Sequence, residues 1–319
     1  MIALMENLIF SFNITLPIFL TIVVGYVLKQ IKLLDGNFVK ILNKLNFNVT
    51  LPALVFMDLY EADFYEVWDS GYVLFCFIVT LICILVIFCL TLIFCKDRSI
   101  IGEFVQASYR GSAALLGLAL VQNIYGTATV APLMIIGSVP LYNVAAVIIL
   151  SFTGSGENTL DKKQLLHSVK GVFTNPMLIA IALGLLASLT RIELGHIAEK
   201  TISNLAVSAT PLALIGLGAG FEEKAVRRVL KPTLLASFVR LFALCAVFLP
   251  VAVHMGFTGE KLIAVLVMLG APTTPSCYIM AKNMGHEGTL TSGAVVITTL
   301  LSSLTLTFWL FLMKTMGLV

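Results

Sequence analysis

The chain has 319 residues, 59% of them hydrophobic and only 12% charged, with a formal net charge of +3. A soluble domain carries roughly twice that charged share, so a free globular enzyme and a nucleic-acid binder are both excluded. No Asp, Glu, Lys or Arg occurs between Arg110 and Glu157, and a run of that kind implies bilayer, because each span takes about 20 apolar residues.

In chain order, the apolar segments predict ten spans: 8–28, 44–60, 71–94, 101–122, 128–151, 171–190, 201–220, 232–254, 261–281 and 290–313. The first has no basic stretch before it and no small-residue cleavage site, so it reads as a retained span, not a signal peptide. The second is short and carries Pro52. KDR at 96–98 and the polar stretch from Gly154 to Lys170 punctuate the rest. Pro17 and Pro52 recur 159 residues later as Pro176 and Pro211, each in an apolar segment, and 159 is half the chain. The spacing implies a duplicated unit whose helices are interrupted, the way many secondary transporters are built. The domains expected are a first five-helix repeat over 1–152, a cytoplasmic linker over 153–169 and a second repeat over 170–319. Helix breaks are expected at Pro17, Pro52, Gly117, Pro176 and Pro211.

Orientation follows from lysine and arginine. Loops after odd-numbered spans hold fourteen, among them Lys29, Lys40, Lys44, Lys96, Lys163, Arg228 and Lys282; even loops and tails hold four, Arg191, Lys200, Lys261 and Lys314. Odd loops are therefore expected in the cytoplasm and both termini outside. Five spans per half is an odd number, so the second half must be inverted, with a site near mid-depth.

The ninth span reads LGAPTTPSCYIM. Pro272 and Pro275 each remove a backbone donor, so the helix is expected to open around Thr273, Thr274 and Ser276. Freed backbone at that depth is tolerated only beside protein or water, and helix N-termini there favour an anion. The symmetric slot is YRGSAALLGLAL in the fourth span, where Gly111, Ser112 and Gly117 weaken the helix. Arg110 lies about ten residues into that span. A guanidinium there either has a partner or a ligand, or it snorkels to the surface. Arg240 in the eighth span presents the same choice and stays outside the candidate set. Asn143, mid-way along the fifth span, needs a partner or a ligand. Asn48, Thr50 and Asn175 read as caps of proline breaks. GLGAG at 216–220 follows no strand and reads as a packing or helix-end motif, not a nucleotide loop. The six cysteines show no metal-ligand spacing and read as buried thiols, and the histidines pair with nothing at catalytic spacing. Asp58 and Glu103 sit near span ends, where solvation is the simpler expectation and proton coupling the sharper one.

At these residues the chain resembles the auxin efflux carrier family of membrane transporters, in its bacterial, malate/malonate permease-like branch. The resemblance rests on LPIFLTIVVGYVLK (16–29), LNKLNFNVTLPALVF (42–56), YRGSAALLGLAL (109–120), VPLYNVAAV (139–147), FTNPMLIAIALGLL (173–186) and LGAPTTPSCYIMAKNMG (269–285). It implies an all-α polytopic membrane protein of ten transmembrane helices, a 5+5 inverted repeat in which broken helices 4 and 9 cross at mid-membrane, as in sodium/bile-acid symporter relatives. Spans 1, 2, 6 and 7 would be a scaffold and the others a moving transport domain. Family substrates are small organic anions, including auxin in plants and dicarboxylates in bacteria. Two positions depart from the family's usual pattern: Ala119, where many members carry proline, and Ser112, where many carry asparagine.

The function expected is a secondary transporter, a permease or efflux carrier, moving a small organic anion across the cytoplasmic membrane by alternating access. Arg110, Gly111, Ser112, Asn143, Pro272, Thr273, Thr274, Pro275 and Ser276 form the candidate substrate site. A membrane receptor is the rival, although no signalling domain is evident, and no residue set supports an enzyme. Neither cofactor, metal nor nucleic acid is expected as a partner. Proton coupling, sodium coupling, uniport and a homodimer all stay open.

Overall fold

The computed structural model describes residues 2–61, 69–113, 120–121, 124–125, 130–153 and 174–319. Gly117, Ala119 and nearly all of the expected linker over 153–169 lie outside the described residues. The helices are α1 (Ile2–Gln30), α2 (Gly36–Leu45), α3 (Leu51–Tyr60), α4 (Ser70–Phe94), α5 (Ile101–Tyr109), α6 (Ala131–Thr153) and α7 (Pro176–Leu189). They continue with α8 (His196–Gly220), α9 (Glu223–Arg228), α10 (Leu230–Phe238), α11 (Leu244–His254), α12 (Gly259–Gly270), α13 (Ser276–Asn283) and α14 (Thr289–Thr315). Two π-helical segments, Asn46–Thr50 and Val239–Ala243, join α2 to α3 and α10 to α11. Among the described residues, five helices are long and apolar enough to cross a membrane: α4, α6, α8, α14 and the run Leu230–His254. Leu16–Gln30 and α7 are shorter apolar helices.

The prolines behave differently from one another. Pro17 and Pro211 do not break their helices: each sits inside a continuous one, α1 and α8. An interior proline removes one donor, and inside a membrane protein neighbouring groups make good the loss. Pro211 frees the Val207 carbonyl one turn back; apart from that, the Ala209 carbonyl accepts Asn46 Nδ2 from across the interface at 3.1 Å. Pro52 stands one residue past the π segment, where Leu51 N already reaches back five residues to Asn46 O. Its missing N–H therefore falls where the ladder changes register. Asn48 Nδ2 donates to Lys44 O at 2.7 Å in the same stretch. Pro176 opens α7 at a position whose donor would be unused, and Asn175 Oδ1 caps it by accepting from Met177 N at 2.9 Å.

α1 lies directly on α8. A Cβ at Gly25 would run into the Ile215 carbonyl, and one at Gly218 into the Ile22 carbonyl, so small residues let the two backbones touch. That contact is what the GLGAG stretch does. α3 packs on α7, and these four helices share a core with α6 and α13. A second core joins α4, α5, α6, α11, α12 and α14. At one end Asp69 caps α4, accepting from Tyr72 N at 3.0 Å, and pairs with Lys261 of α12 at 2.5 Å. The Lys261 hydrogen bond, then the Tyr72 amide, hold the Asp69 carboxyl below its usual range. Four cysteines, Cys76, Cys83, Cys245 and Cys277, are buried, whereas Cys89 is exposed, which departs from the buried-thiol expectation. It lies on the exposed face of α4 with Leu85, Val86 and Leu90.

Glu103 also departs from expectation, since it is buried and not solvated. It is 2% exposed and accepts from Gly288 N at 2.8 Å, Thr291 N at 3.0 Å and Thr291 Oγ1 at 3.1 Å. Those amides are free donors at the start of α14, where a negative charge is favoured. The carboxylate ties α5 to α14 and has a structural explanation.

Candidate crossing site of two interrupted helices

Two helices stop in the middle of the protein and pass each other. α5 ends at Tyr109 and the chain runs extended through Arg110 to Ser112. α12 ends at Gly270, and 271–275 is non-helical before α13 begins. The two extended pieces pair antiparallel at Gly111 and Thr273. Ser112 N donates to Pro272 O at 2.9 Å and Thr274 N to Arg110 O at 3.4 Å. The pairing uses backbone groups that broken helices leave exposed, as they must be used at this depth.

A broken helix also ends in carbonyls without donors. Arg240 serves both ends at once. Its Nη1 donates to Tyr109 O at 2.7 Å, Nε to Ala271 O at 2.7 Å and Nη2 to Met268 O at 2.8 Å. The side chain is fully buried. A cation at two helix C-termini meets two favourable dipole ends. The π segment Val239–Ala243 widens the helix where this side chain leaves it, and such bulges concentrate at functional sites. Gly111 leaves room: a Cβ there would overlap the Arg240 guanidinium.

Arg110 is arranged otherwise. It is 4% exposed, and its described partners are Asn143 Oδ1 and Met280 Sδ, an amide and a thioether without charge. No carboxylate among the described residues lies within ion-pair distance. Asn143 is itself fixed, its Nδ2 donating to Val139 O at 3.0 Å. Arg110 does not snorkel; it borders a cavity of about 70 Å³, room for a few waters. Gly111, Ser112 and Asn143 line the same cavity, as do Thr274, Pro275 and Ser276. Thr274 and Ser276 hydroxyls lie 3.2 Å apart. Seven of the nine candidate residues are thus brought together. The other two are turned elsewhere. Pro272 offers its carbonyl to Ser112, and Thr273 is buried behind the crossing. Its Oγ1 donates to Ala107 O at 2.9 Å, and its amide donates to Thr298 Oγ1 of α14 at 2.9 Å.

The sequence also leaves residues unassigned here. Arg240 was visible as a charge in an apolar span, but nothing in the pattern reveals a π segment. Tyr142 Oη donates to Met268 O at 2.9 Å, and Tyr109 Oη to Tyr142 O at 3.1 Å, so two tyrosines brace the crossing. Asp58 enters the cavity from α3. Its signal was a carboxylate in an apolar helix.

A family model described as membrane transport protein matches residues 10–310. An uncharacterized transporter of Methanothermobacter thermautotrophicus is 23% identical over 301 residues, which cover 94% of this chain and 97% of that protein. With nearly its whole length matched, and with several apolar helices around a crossing of broken ones, the chain belongs to the membrane transport protein family of auxin efflux carriers.

Proposed function

We propose that the chain is a secondary carrier that moves a small organic carboxylate across the cytoplasmic membrane by alternating access, with ten spans in two inverted halves and both termini outside. One observation carries the substrate class. Arg110 is a buried cation whose described partners are neutral, at the rim of a cavity between two crossing half-helices. A buried charge without a counter-charge is costly, and an anion in the cavity would relieve that cost.

Symmetric packing supports the inverted repeat. α1 lies on α8 and α7 lies on α3, which exchanges the first and second spans of each half. Two cavities support alternating access. The crossing cavity uses Leu51 to Asp58, Ala213 and Ser276. A larger one of about 650 Å³ uses Lys40 to Lys44 of α2, with Gly220 and Lys282 of α8 and α13, two helices that the crossing cavity also uses. Between them along each strand of chain stand Phe47, Leu217 and Ile279, members of one apolar core. Sliding that layer would connect the cavity to the lysine-bearing end.

Reconstitution tests the reading. Proteoliposomes holding the full chain should accumulate labelled malonate or malate, and Arg110→Gln should abolish most of that uptake. Binding without uptake would favour a receptor, and uptake that Arg110→Gln leaves intact would remove the carboxylate site from the crossing.

A further inference from the structure

Two opposite charges share the crossing cavity without meeting. Asp58 borders it from α3 and Arg110 from the end of α5. No ion pair joins them, and Asp58 makes no hydrogen bond among the described residues. Asp58 is part-buried in a helix whose other residues are apolar save Tyr60 and the first-turn proline. A charged group so placed normally finds a partner or loses its charge. Arg110 is a basic residue lining the same cavity as Asp58.

The charge balance then constrains what can enter. With Asp58 ionised, Asp58 and Arg110 sum to zero and the cavity is neutral when empty. A carboxylate that enters to face Arg110 puts a second negative charge beside Asp58, and like charges in a low-dielectric site disfavour double ionisation. With Asp58 protonated, Arg110 faces the carboxylate alone, and the acid O–H becomes a donor to it. We propose that Asp58 is a proton-binding site and that the anion is carried together with one proton. The proton adds to a carboxyl oxygen of Asp58 from the water on the loading side and returns to water on the other side when the anion leaves. This rests on the carrier reading above for its anion, but the proton site itself has its own readout.

Other ionisable groups around Asp58 leave it as the group positioned to couple. α7, packed on α3, carries no ionisable side chain. α8 carries His196, Glu199 and Lys200 at its start, and Glu61 follows α3. None of these four borders the cavity. Tyr142 from α6 does, but its hydroxyl is given to Met268 O.

The test uses the purified full chain with malonate as the probe, at about pH 6.5 to 8.5, where a simple carboxylate stays ionised. Malonate affinity should weaken about tenfold per pH unit above the titration of Asp58, the slope of one linked proton. Asp58→Asn should bind malonate with a flat profile, and Asp58→Glu should restore the slope. In proteoliposomes, malonate entry should bring one proton with it, read by a lumenal pH dye, and Asp58→Asn should uncouple the two. Infrared difference spectra of the ligand-free protein, wild type minus Asp58→Asn, should show a protonated carboxyl band that is lost as pH rises. A protein blind to malonate whose Asp58 band titrates overturns the carboxylate reading and keeps the proton site. A carrier that moves malonate with a flat pH profile and no proton flux overturns the proton site.

Discussion

Arg110 and Arg240 are both buried at the same crossing, and they differ in what meets their charge. Arg240 gives three hydrogen bonds to backbone carbonyls at two helix ends. Arg110 gives its described bonds to an amide oxygen and a thioether and faces a cavity. Burial alone therefore does not separate a structural charge from a functional one. The separating feature is whether the fold itself supplies oriented acceptors for the group. Where it does, the charge is part of the architecture; where it supplies weak ones beside open space, the remaining donors await something else.

The largest effect should come from Arg240→Gln. It leaves carbonyls at two half-helix ends without donors, each costing about 1–3 kcal/mol when buried. A loss of at least about 3 kcal/mol is expected, read as a large drop in thermal unfolding temperature in detergent. Arg240→Lys should fall between, since one ammonium replaces a planar fork only in part. A well-folded Arg240→Gln would break the comparison by showing that the carbonyls find other donors.

Arg110→Gln comes next and should invert the pattern. Stability should stay within about 1 kcal/mol of wild type, or rise, because an uncompensated buried charge is removed. Anion affinity should fall about ten- to a hundredfold, the equivalent of about 1.5–3 kcal/mol for a charge-assisted bond. Arg110→Lys should keep weak binding. If Arg110→Gln unfolds the protein as Arg240→Gln does, the two arginines are the same kind of residue and the distinction fails.

How much of this was legible in sequence depends on the range of the interaction. The interruption near Pro272 and Pro275 was local, because proline removes a donor from its own helix wherever it stands. The half-chain offset pointed to the fourth span at 113–117, and glycine marked a weak helix there, but the pairing itself falls earlier, at Gly111. Pro17 and Pro211 misled for the same local reason: a proline marks only its own missing donor, whereas α1 and α8, packed on each other, run on through theirs. Glu103 and Arg240 read as ambiguous because their partners are 28 to 188 residues away. Charge in an apolar segment marks a special residue, but only tertiary placement says whether its partner is a helix end or a ligand.

Gly111→Ala sharpens the comparison from the other side. It leaves both arginines in place but puts a methyl where the Arg240 guanidinium lies. Overpacking of this sort costs about 1–3 kcal/mol, and it should act through Arg240. The double variant Gly111→Ala with Arg240→Gln should therefore be less destabilised than the two single losses added together, as contacting residues are. Strict additivity in thermal unfolding would mean that Gly111 matters for the backbone pairing with Thr273 and not for the guanidinium.

The smallest effect tests a third way of meeting a charge, with another charge at the surface. Asp69 and Lys261 pair at 2.5 Å with about a third of each side chain exposed, so water and salt screen them. Asp69→Asn should cost under about 1 kcal/mol, despite a bond shorter than any that Arg240 makes. Its pH dependence has a definite sign. The folded-state carboxyl is held below its usual range by Lys261 and the Tyr72 amide, so the pair contributes fully above the unfolded value of about 3.9. The contribution is lost as pH falls through the lower folded value, because protonation removes the acceptor charge. Wild type should thus exceed Asp69→Asn in thermal stability by a constant small margin from neutral pH down to about pH 4. Below that the two curves should converge, and added salt should narrow the gap at every pH. A loss as large as that of Arg240→Gln would mean that this surface pair anchors α12, and through it the crossing, more than its exposure allows.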